Sequence, residues 1–379
     1  MCDGKLHFYD HLQILEEEDR LFDQKERLRA VEKPLLAWYG SKARKLPWRE
    51  DPKPYRVWIS EIMLQQTRVE AVKPYFERFM EAFPEIQDLA ETDDDRLMKL
   101  WEGLGYYSRA RNLKAAAIQV MERFDGVLPA SYEELLTLPG IGSYTAGAIA
   151  SIAYGIPVPA VDGNVLRVVS RILADPSDIR KASVKTSMEA LLKEVMPKDD
   201  AGSYNQALIE TGALVCIPGG EPKCRECPME SVCLTAKKGL WKEIPWKSPP
   251  KERKVEERTV FIIEYQEKAA IRRRPPKGLL ASLYELPNTE GRLSLKEAEE
   301  YLAVPLAKLA CLEPLPEARH VFSHIEWRMT GYRAVLKERW EDLPDGAFMV
   351  SREELRKQYP LPNAFSVYRE ILFEKEDGA

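Results

Sequence analysis

The sequence predicts a mainly helical N-terminal body joined to a smaller α/β domain. Three observations carry this. Apolar residues recur at helical spacing through most of the first 215 positions. A proline- and charge-rich stretch without periodicity, WKEIPWKSPPKERKVEE, then covers residues 241–257 and reads as a linker. Beyond it the pattern shifts to short β-like runs, TVFIIEY, KAAIRRR and LLASLYELP. At 379 residues the chain exceeds one typical domain, in keeping with this division.

Composition narrows the class. Hydrophobic residues at 45% and charged residues at 31% are ordinary for a globular protein, and no apolar run approaches a membrane span. No signal peptide opens the chain, and Asp3, Asp10 and the acidic run Glu16–Asp19 argue against a transit peptide, so a cytoplasmic location is expected. A net charge of −5 argues against coating nucleic acid by bulk attraction but leaves room for a local basic groove.

Residues 1–25 are polar and lack period; they form an extension without assigned function. The spacing of Leu28, Val31, Leu35, Leu36 and Trp38 predicts a helix over residues 27–39. Prolines 47, 52 and 54 mark a loop, and Tyr55–Gln66 is predicted helical. Glu61 sits in its middle, with Val57, Trp58, Leu64 and Gln65 as helical neighbours. On so apolar a face a covered carboxylate has a raised pKa; an uncovered one is an ordinary surface glutamate. The following LQQT puts polar amides beside an apolar leucine at a helix end, which suits insertion into a base stack.

Residues 69–83 and 93–101 read as further helices. EGLGYYSRARNL is a glycine turn bearing Tyr106 and Tyr107, with Arg109, Arg111 and Lys114 behind it. Such residues either stack on bases and meet phosphates or cap a core beside a solvated basic face. In residues 138–174 the turn LPGIG has two glycines free to take positive φ, Gly140 and Gly142, and runs straight into a helix. Unpaired amides at such an N-terminus can grip a phosphate. After a proline-marked turn, Asp162 stands at the predicted N-cap of a second helix over residues 163–174. There the dipole and backbone N–H groups should hold it ionised, whether it is a functional carboxylate or a cap alone. Residues 183–215 are again helical, with Asn205 and Gln206 among apolar residues.

Cys216, Cys224, Cys227 and Cys233 follow the spacing Cys-x7-Cys-x2-Cys-x5-Cys. In a reducing compartment, thiols this close point to zinc or an iron–sulfur cluster rather than disulfides. Only one pair has the short spacing usual in structural zinc sites, which favours a cluster. In the C-terminal region, residues 294–302 and 351–358 are predicted helices, and HVFSHIEWRMTGYRAVL two strands around a turn.

Together PWR, SEIMLQQT, EGLGYYSRARNL, LPGIGSYTAGAI, VDGNVLRV, the four cysteines and the FSH tripeptide resemble the helix-hairpin-helix DNA glycosylases that carry an iron–sulfur cluster, the endonuclease III superfamily, over about residues 26–375. Within it they look most like the MutY-type branch. The resemblance implies a helix-hairpin-helix catalytic domain over residues 26–240, built of two helical subdomains with a [4Fe–4S] loop at 216–233, and a Nudix-like domain over 258–379 that lacks the hydrolase motif. The active site should then lie between the two helical subdomains. The implied partner is duplex DNA with adenine opposite 8-oxoguanine or guanine, bound by a monomer with no membrane involved.

Site residues carry over by position. The resemblance makes Glu61 the general acid, Asp162 the carboxylate that stabilises the cationic sugar, and Tyr144 and Asn164 their positioning partners. It makes Gln66 and Tyr106 wedges in the base stack, with Thr67 completing the LQQT contact and Gly140 and Gly142 the phosphate hairpin. Trp48, Arg49, Leu64 and Gln206 would line the adenine pocket, and Phe322, Ser323 and His324 would read the opposite base. Two features depart from the family. The first cysteine spacing has seven intervening residues where six is usual, an excess that the glycine pair at 219 and 220 can absorb, and Tyr284 stands where tryptophan is common.

Lyase members of the superfamily carry a lysine where this chain has Tyr144, and a phenol forms no Schiff base with a sugar. The chain is therefore expected to be monofunctional. Borohydride reduction during turnover should trap far less protein on DNA than it does with a true lyase; equal trapping would overturn this assignment.

Overall fold

The structure, a computed structural model, describes residues 24–250, 252–305 and 307–373. The predicted N-terminal extension lies almost wholly outside the described residues. The main helices are α1 (Gln24–Lys42), α2 (Pro54–Leu64), α3 (Val69–Ala82), α4 (Asp94–Leu100), α5 (Ser108–Arg123), α6 (Ser143–Ala148), α7 (Gly163–Leu173), α8 (Ala182–Val195) and α9 (Ala201–Leu214). Among the described residues no helix is long and apolar enough to cross a membrane. The chain divides into two compact units, one of residues 1–76 with 119–249, the other of residues 77–118 with 250–379. The second unit thus combines helical residues with the C-terminal domain.

In the first unit, α1, α7, α8 and α9 enclose one core. Leu28, Val31 and Leu35 of α1 meet Val165, Val168, Val169 and Ile172 of α7, with Met188, Leu192, Tyr204 and Leu208 completing it. The predicted single helical stretch from 183 to 215 is interrupted between Val195 and Ala201. The helix expected over 55–66 ends at Leu64, and Gln66 has left-handed backbone (φ 59°).

α6 continues as a π-helical turn, Ile149–Ala153. The returning chain passes so close that a Cβ on Gly147 would lie 2.3 Å from the Pro159 carbonyl oxygen, so only glycine fits there. Asn205 from α9 fastens this crossing. Its Oδ1 accepts from Ala160 N (3.1 Å), and its Nδ2 donates to Val158 O (2.9 Å) and Ser151 Oγ (2.8 Å). A buried amide among apolar residues is thereby satisfied and pins the strand-like run that delivers Asp162.

In the second unit, seven strands form one mixed sheet: β1 (Lys254–Tyr265), β2 (Lys268–Arg273), β3 (Tyr284–Glu285), β4 (Asn288–Glu290), β5 (Leu309–Val321), β6 (Ile325–Leu336) and β7 (Phe348–Ser351). The main path runs β3-β2-β1-β6-β5, with β1 and β6 parallel. Helices α10 (Leu295–Leu302), α11 (Arg352–Lys357) and α12 (Ser366–Phe373) cover it. Val260 and Ile262 face Leu355, Tyr368 and Leu372, while Phe261 and Ile263 face Ala298 and Leu302. Burial on both faces explains why β1 reads as the unbroken apolar run VFII. β1 begins at Lys254, three residues inside the predicted linker end. β5 and β6 pair antiparallel and are joined by residues 322–324, the predicted Phe322-Ser323-His324 turn.

Candidate active site

A cleft in the first unit collects most of the predicted site. Glu61 projects from α2, whose apolar neighbours bury it to 8% exposure. Tyr144, the second residue of α6, donates its hydroxyl to Glu61 Oε2 at 2.5 Å. Asp162 caps α7: Oδ1 accepts from the backbone of Asn164 and Val165, each at 2.8 Å, and Oδ2 accepts from Asn164 Nδ2 at 2.7 Å. Trp48, Arg49, Leu64, Gln66, Thr67 and Gln206 line the same cleft.

Burial raises the Glu61 carboxyl to about 7; the Tyr144 hydrogen bond opposes this, the nearby Asp162 charge adds to it and Arg49 subtracts. The Tyr144 phenol is itself held well above its ordinary value by burial and by the Glu61 and Asp162 charges. Asp162 departs from expectation. Desolvation outweighs the cap and raises its pKa, although the Val165 and Asn164 hydrogen bonds and the Arg167 charge pull down. The dipole and cap reduce the cost of burial without cancelling it.

The sequence reading missed a buried ion triad on the wall of the cleft. Glu210 of α9 accepts from Arg44 Nε at 2.7 Å and Nη2 at 2.8 Å, and from Arg49 Nη2 at 2.9 Å. Burial works against its charge, but the Arg44 and Arg49 hydrogen bonds carry it down to about 2. The same signal that drew attention to Glu61, a carboxylate among apolar helical neighbours, is present in ALIETGAL and marks Glu210. Arg49 is therefore an oriented guanidinium, fixed by Glu210 and by its position 5.6 Å from the Tyr39 ring.

The glycine hairpin uses one positive φ, not two. Gly140 has φ 76°, whereas Gly142 is extended (φ −94°, ψ −179°) and serves as the N-cap of α6. Open space surrounds a Cβ position on Gly142. Neither hairpin glycine lines the cleft that holds Glu61.

In the second unit, Tyr106 is 46% exposed with left-handed backbone (φ 48°), and Tyr107 is buried. The Tyr106 hydroxyl and Ser323 Oγ share a hydrogen bond of 3.0 Å. Phe322 packs edge-on against Trp327 and His320, and Phe322, Ser323 and His324 line one cavity with Tyr106. The basic residues behind the tyrosines are engaged internally. Arg109 is buried against Trp101, bonds Leu104 O and Gly105 O, and is lowered to about 10 by desolvation. Arg111 donates to Ala281 O at 2.8 Å, and Lys114 pairs with Asp94 at 2.5 Å. None of the three is set out as a free phosphate contact.

All four predicted cysteines line one cavity, with Val168, Arg171 and Met229. Lys223 N donates to Val215 O at 3.0 Å and closes the seven-residue loop, in which Gly219 supplies positive φ (74°) and Gly220 does not. Burial pushes the Cys227 and Cys233 thiols up to about 12 and about 11. Among the described residues no three His, Cys, Asp or Glu side chains converge as ligands of a single ion would. Four thiols lining one cavity form a soft donor set of the kind that holds iron or zinc.

The HhH-GPD superfamily base excision DNA repair protein model matches residues 59–195, and a NUDIX domain model matches residues 259–370. The chain is 33% identical to the mouse adenine DNA glycosylase, over 88% of this chain and 76% of that protein. It is 36% identical to the adenine DNA glycosylase of Buchnera aphidicola from Schizaphis graminum, over 69% of this chain and 76% of that protein. Among solved structures it is similar to a thermostable thymine-DNA glycosylase, with TM-score 0.50 and 27% identity, over 57% of this chain and 100% of that one. The chain belongs to the adenine DNA glycosylase family.

The raised Glu61 pKa has a stability consequence. Below the ordinary value of 4.5 the carboxyl is protonated in both folded and unfolded chains, and burial of its charge costs nothing. As pH rises toward about 7 only the unfolded chain ionises, so stability is lost, by about 3 kcal/mol once pH exceeds the folded value. Glu61→Gln should therefore raise Tm relative to wild type at pH 8, with the gain shrinking toward pH 4.5 in a thermal-denaturation series. A pH-independent difference would reject the burial of this charge.

Proposed function

We propose that this enzyme removes adenine paired with 8-oxoguanine or guanine by base flipping and hydrolysis of the N-glycosidic bond, without cleaving the strand. The observation that carries the reading is the contrast between two carboxyls in one cleft. Glu61 is buried, has a pKa near 7 and takes one phenolic hydrogen bond. Desolvation raises Asp162 as well, but it takes three N–H bonds that favour its anion where Glu61 takes one phenolic bond.

Two carboxyls in opposite protonation states meet the two demands of glycosidic cleavage. Protonated Glu61 gives its proton to the adenine ring. The bond from the sugar carbon to the base nitrogen breaks, its electron pair leaving with adenine. The anionic Asp162 faces the positive charge on the sugar. A water oxygen then bonds the sugar carbon, and its released proton restores the Glu61 carboxyl. Tyr144 holds Glu61, Asn164 holds Asp162, and Gln206 with the Glu210-fixed Arg49 lines the pocket for the flipped base. Flipping costs a few kcal/mol, less from a mispair; a phosphate grip at the Gly140–Gly142 turn and the Gln66 and Tyr106 wedges would offset it.

The four cysteines would hold a [4Fe–4S] cluster; when bound, it closes the 216–233 loop with iron–thiolate bonds that add to folding free energy. Phe322, Ser323 and His324 would read the opposite base. The partner is duplex DNA, the monomer is the working unit, and the expected location is the bacterial cytoplasm.

Single-turnover release of adenine from a duplex with adenine opposite 8-oxoguanine should fall by at least 100-fold in Glu61→Gln and in Asp162→Asn. A wild-type rate in either variant rejects that residue's role. The double variant Ser323→Ala, His324→Ala should retain cleavage but lose most of the preference for 8-oxoguanine over guanine opposite adenine. An unchanged rate ratio would reject the assignment of that turn.

A further inference from the structure

Arg171 of α7 is 5% exposed, and its hydrogen bonds are unusual for a buried cation. Nε donates to Ile244 O at 2.8 Å, Nη1 to Cys216 Sγ at 3.3 Å and Ile217 O at 3.2 Å, and Nη2 to Trp241 O at 3.3 Å. No carboxylate among the described residues pairs with it. Arg167, one helical turn earlier and 4% exposed, also donates only to uncharged oxygens: Cys216 O, Gly163 O, Asn164 Oδ1 and Gly212 O.

A buried guanidinium without an anionic partner is costly, because removing a cation from water is repaid only by a nearby negative charge; Arg167 has the Asp162 charge close by, whereas Arg171 has no carboxylate partner among the described residues. The feature they flank is the cysteine cavity, which Arg171 lines. Glu230 also lines it, but it is exposed and accepts no bond from either arginine. Four neutral thiols would leave the Arg171 charge uncompensated. A [4Fe–4S] core on four thiolates leaves roughly two net negative charges, and Arg171 would sit against them as a partner cation.

We propose that Arg171 tunes the cluster through the Cys216 sulfur. It is the guanidinium that reaches a cysteine sulfur directly; its N–H bond withdraws electron density from that sulfur, and its charge favours the more electron-rich cluster state. Its other three bonds tie Ile217, Trp241 and Ile244 around the cavity, so the same side chain limits access to the iron. This inference rests on the cluster reading above.

The test uses full-length protein purified without oxygen, with iron and acid-labile sulfide counted per chain and the cluster potential read by protein-film voltammetry. Wild type without iron would reject the cluster reading itself, before any variant is considered. With iron present, Arg171→Gln should shift the potential negative and lose iron to a chelator at least twofold faster than wild type. Arg171→Lys keeps the charge but not the fork, and should show a smaller negative shift. An iron-loaded Arg171→Gln with wild-type potential and wild-type iron retention would overturn the proposal. Should the glutamine variant fail to fold, a wild-type potential in Arg171→Lys would overturn it equally.

Discussion

The backbone crossing at Gly147 and Pro159 is the constraint on which the candidate active site depends. α6 carries Tyr144 at its start, and the chain returns across that helix to deliver Asp162 at its far side. The approach leaves no room for a Cβ, so it is open only to glycine at 147. Asn205 then spends its whole side-chain amide on the returning run and on Ser151. With the crossing fixed, the Tyr144 hydroxyl reaches α2 and meets Glu61, while Asp162 opens into the same cleft. Two carboxyls about a hundred positions apart in sequence become neighbours through one tight crossing.

The electrostatics of the cleft follow from how its cations are allotted. Arg44 and Arg49 both bind Glu210, the most deeply buried carboxylate of the wall, and bring it down to about 2. Had Arg49 paired with Glu61 instead, that carboxyl would be held ionised and could not carry a proton at neutral pH. Glu61 is left with a phenol, which supplies one hydrogen bond and no charge. On the other side, Arg167 reaches Asn164 rather than Asp162, so Asp162 feels a cation one residue removed while its oxygens stay with N–H donors. The arrangement keeps one carboxyl able to hold a proton and gives the other N–H donors that offset part of its desolvation.

How much of this was legible follows the range of the interactions. Local pattern singled out Glu61 by its apolar neighbours in α2 but left open whether that face is covered, and it was enough for the Asp162 cap, because its donors come from Asn164 and Val165. The alternation of Val260, Phe261, Ile262 and Ile263 between two cores was visible as a β-like run. Residues 77–118, which read as part of the helical body, cluster instead with the C-terminal domain. Bonds such as Lys99 Nζ to Leu355 O, Arg111 to Ala281 O and Leu361 N to Glu102 Oε1 fix that grouping. Each links residues more than 150 positions apart, which no periodicity records. The net direction at Asp162 failed for the same reason: the cap is local, whereas the desolvation that outweighs it is set by everything packed around the cleft.

The two expected wedge residues share a property that sequence could not give. Gln66 and Tyr106 both sit in the left-handed region, at φ 59° and 48°, although neither is glycine. Such backbone costs on the order of 1–3 kcal/mol and persists only where surrounding structure over-determines it. Around Tyr106 that determination is visible. Trp101 Nε1 donates to Gly105 O at 3.1 Å, and Arg109 bonds the carbonyls of Leu104 and Gly105. The cations that the sequence offered as phosphate contacts thus act one step back: Arg109 holds the turn whose strained residue presents an aromatic ring to solvent. Strain here has a direction, since relaxing either residue toward ordinary helical or extended backbone would re-aim its side chain. The backbone cost of both residues is met during folding, so each side chain is already held in place by the fold itself.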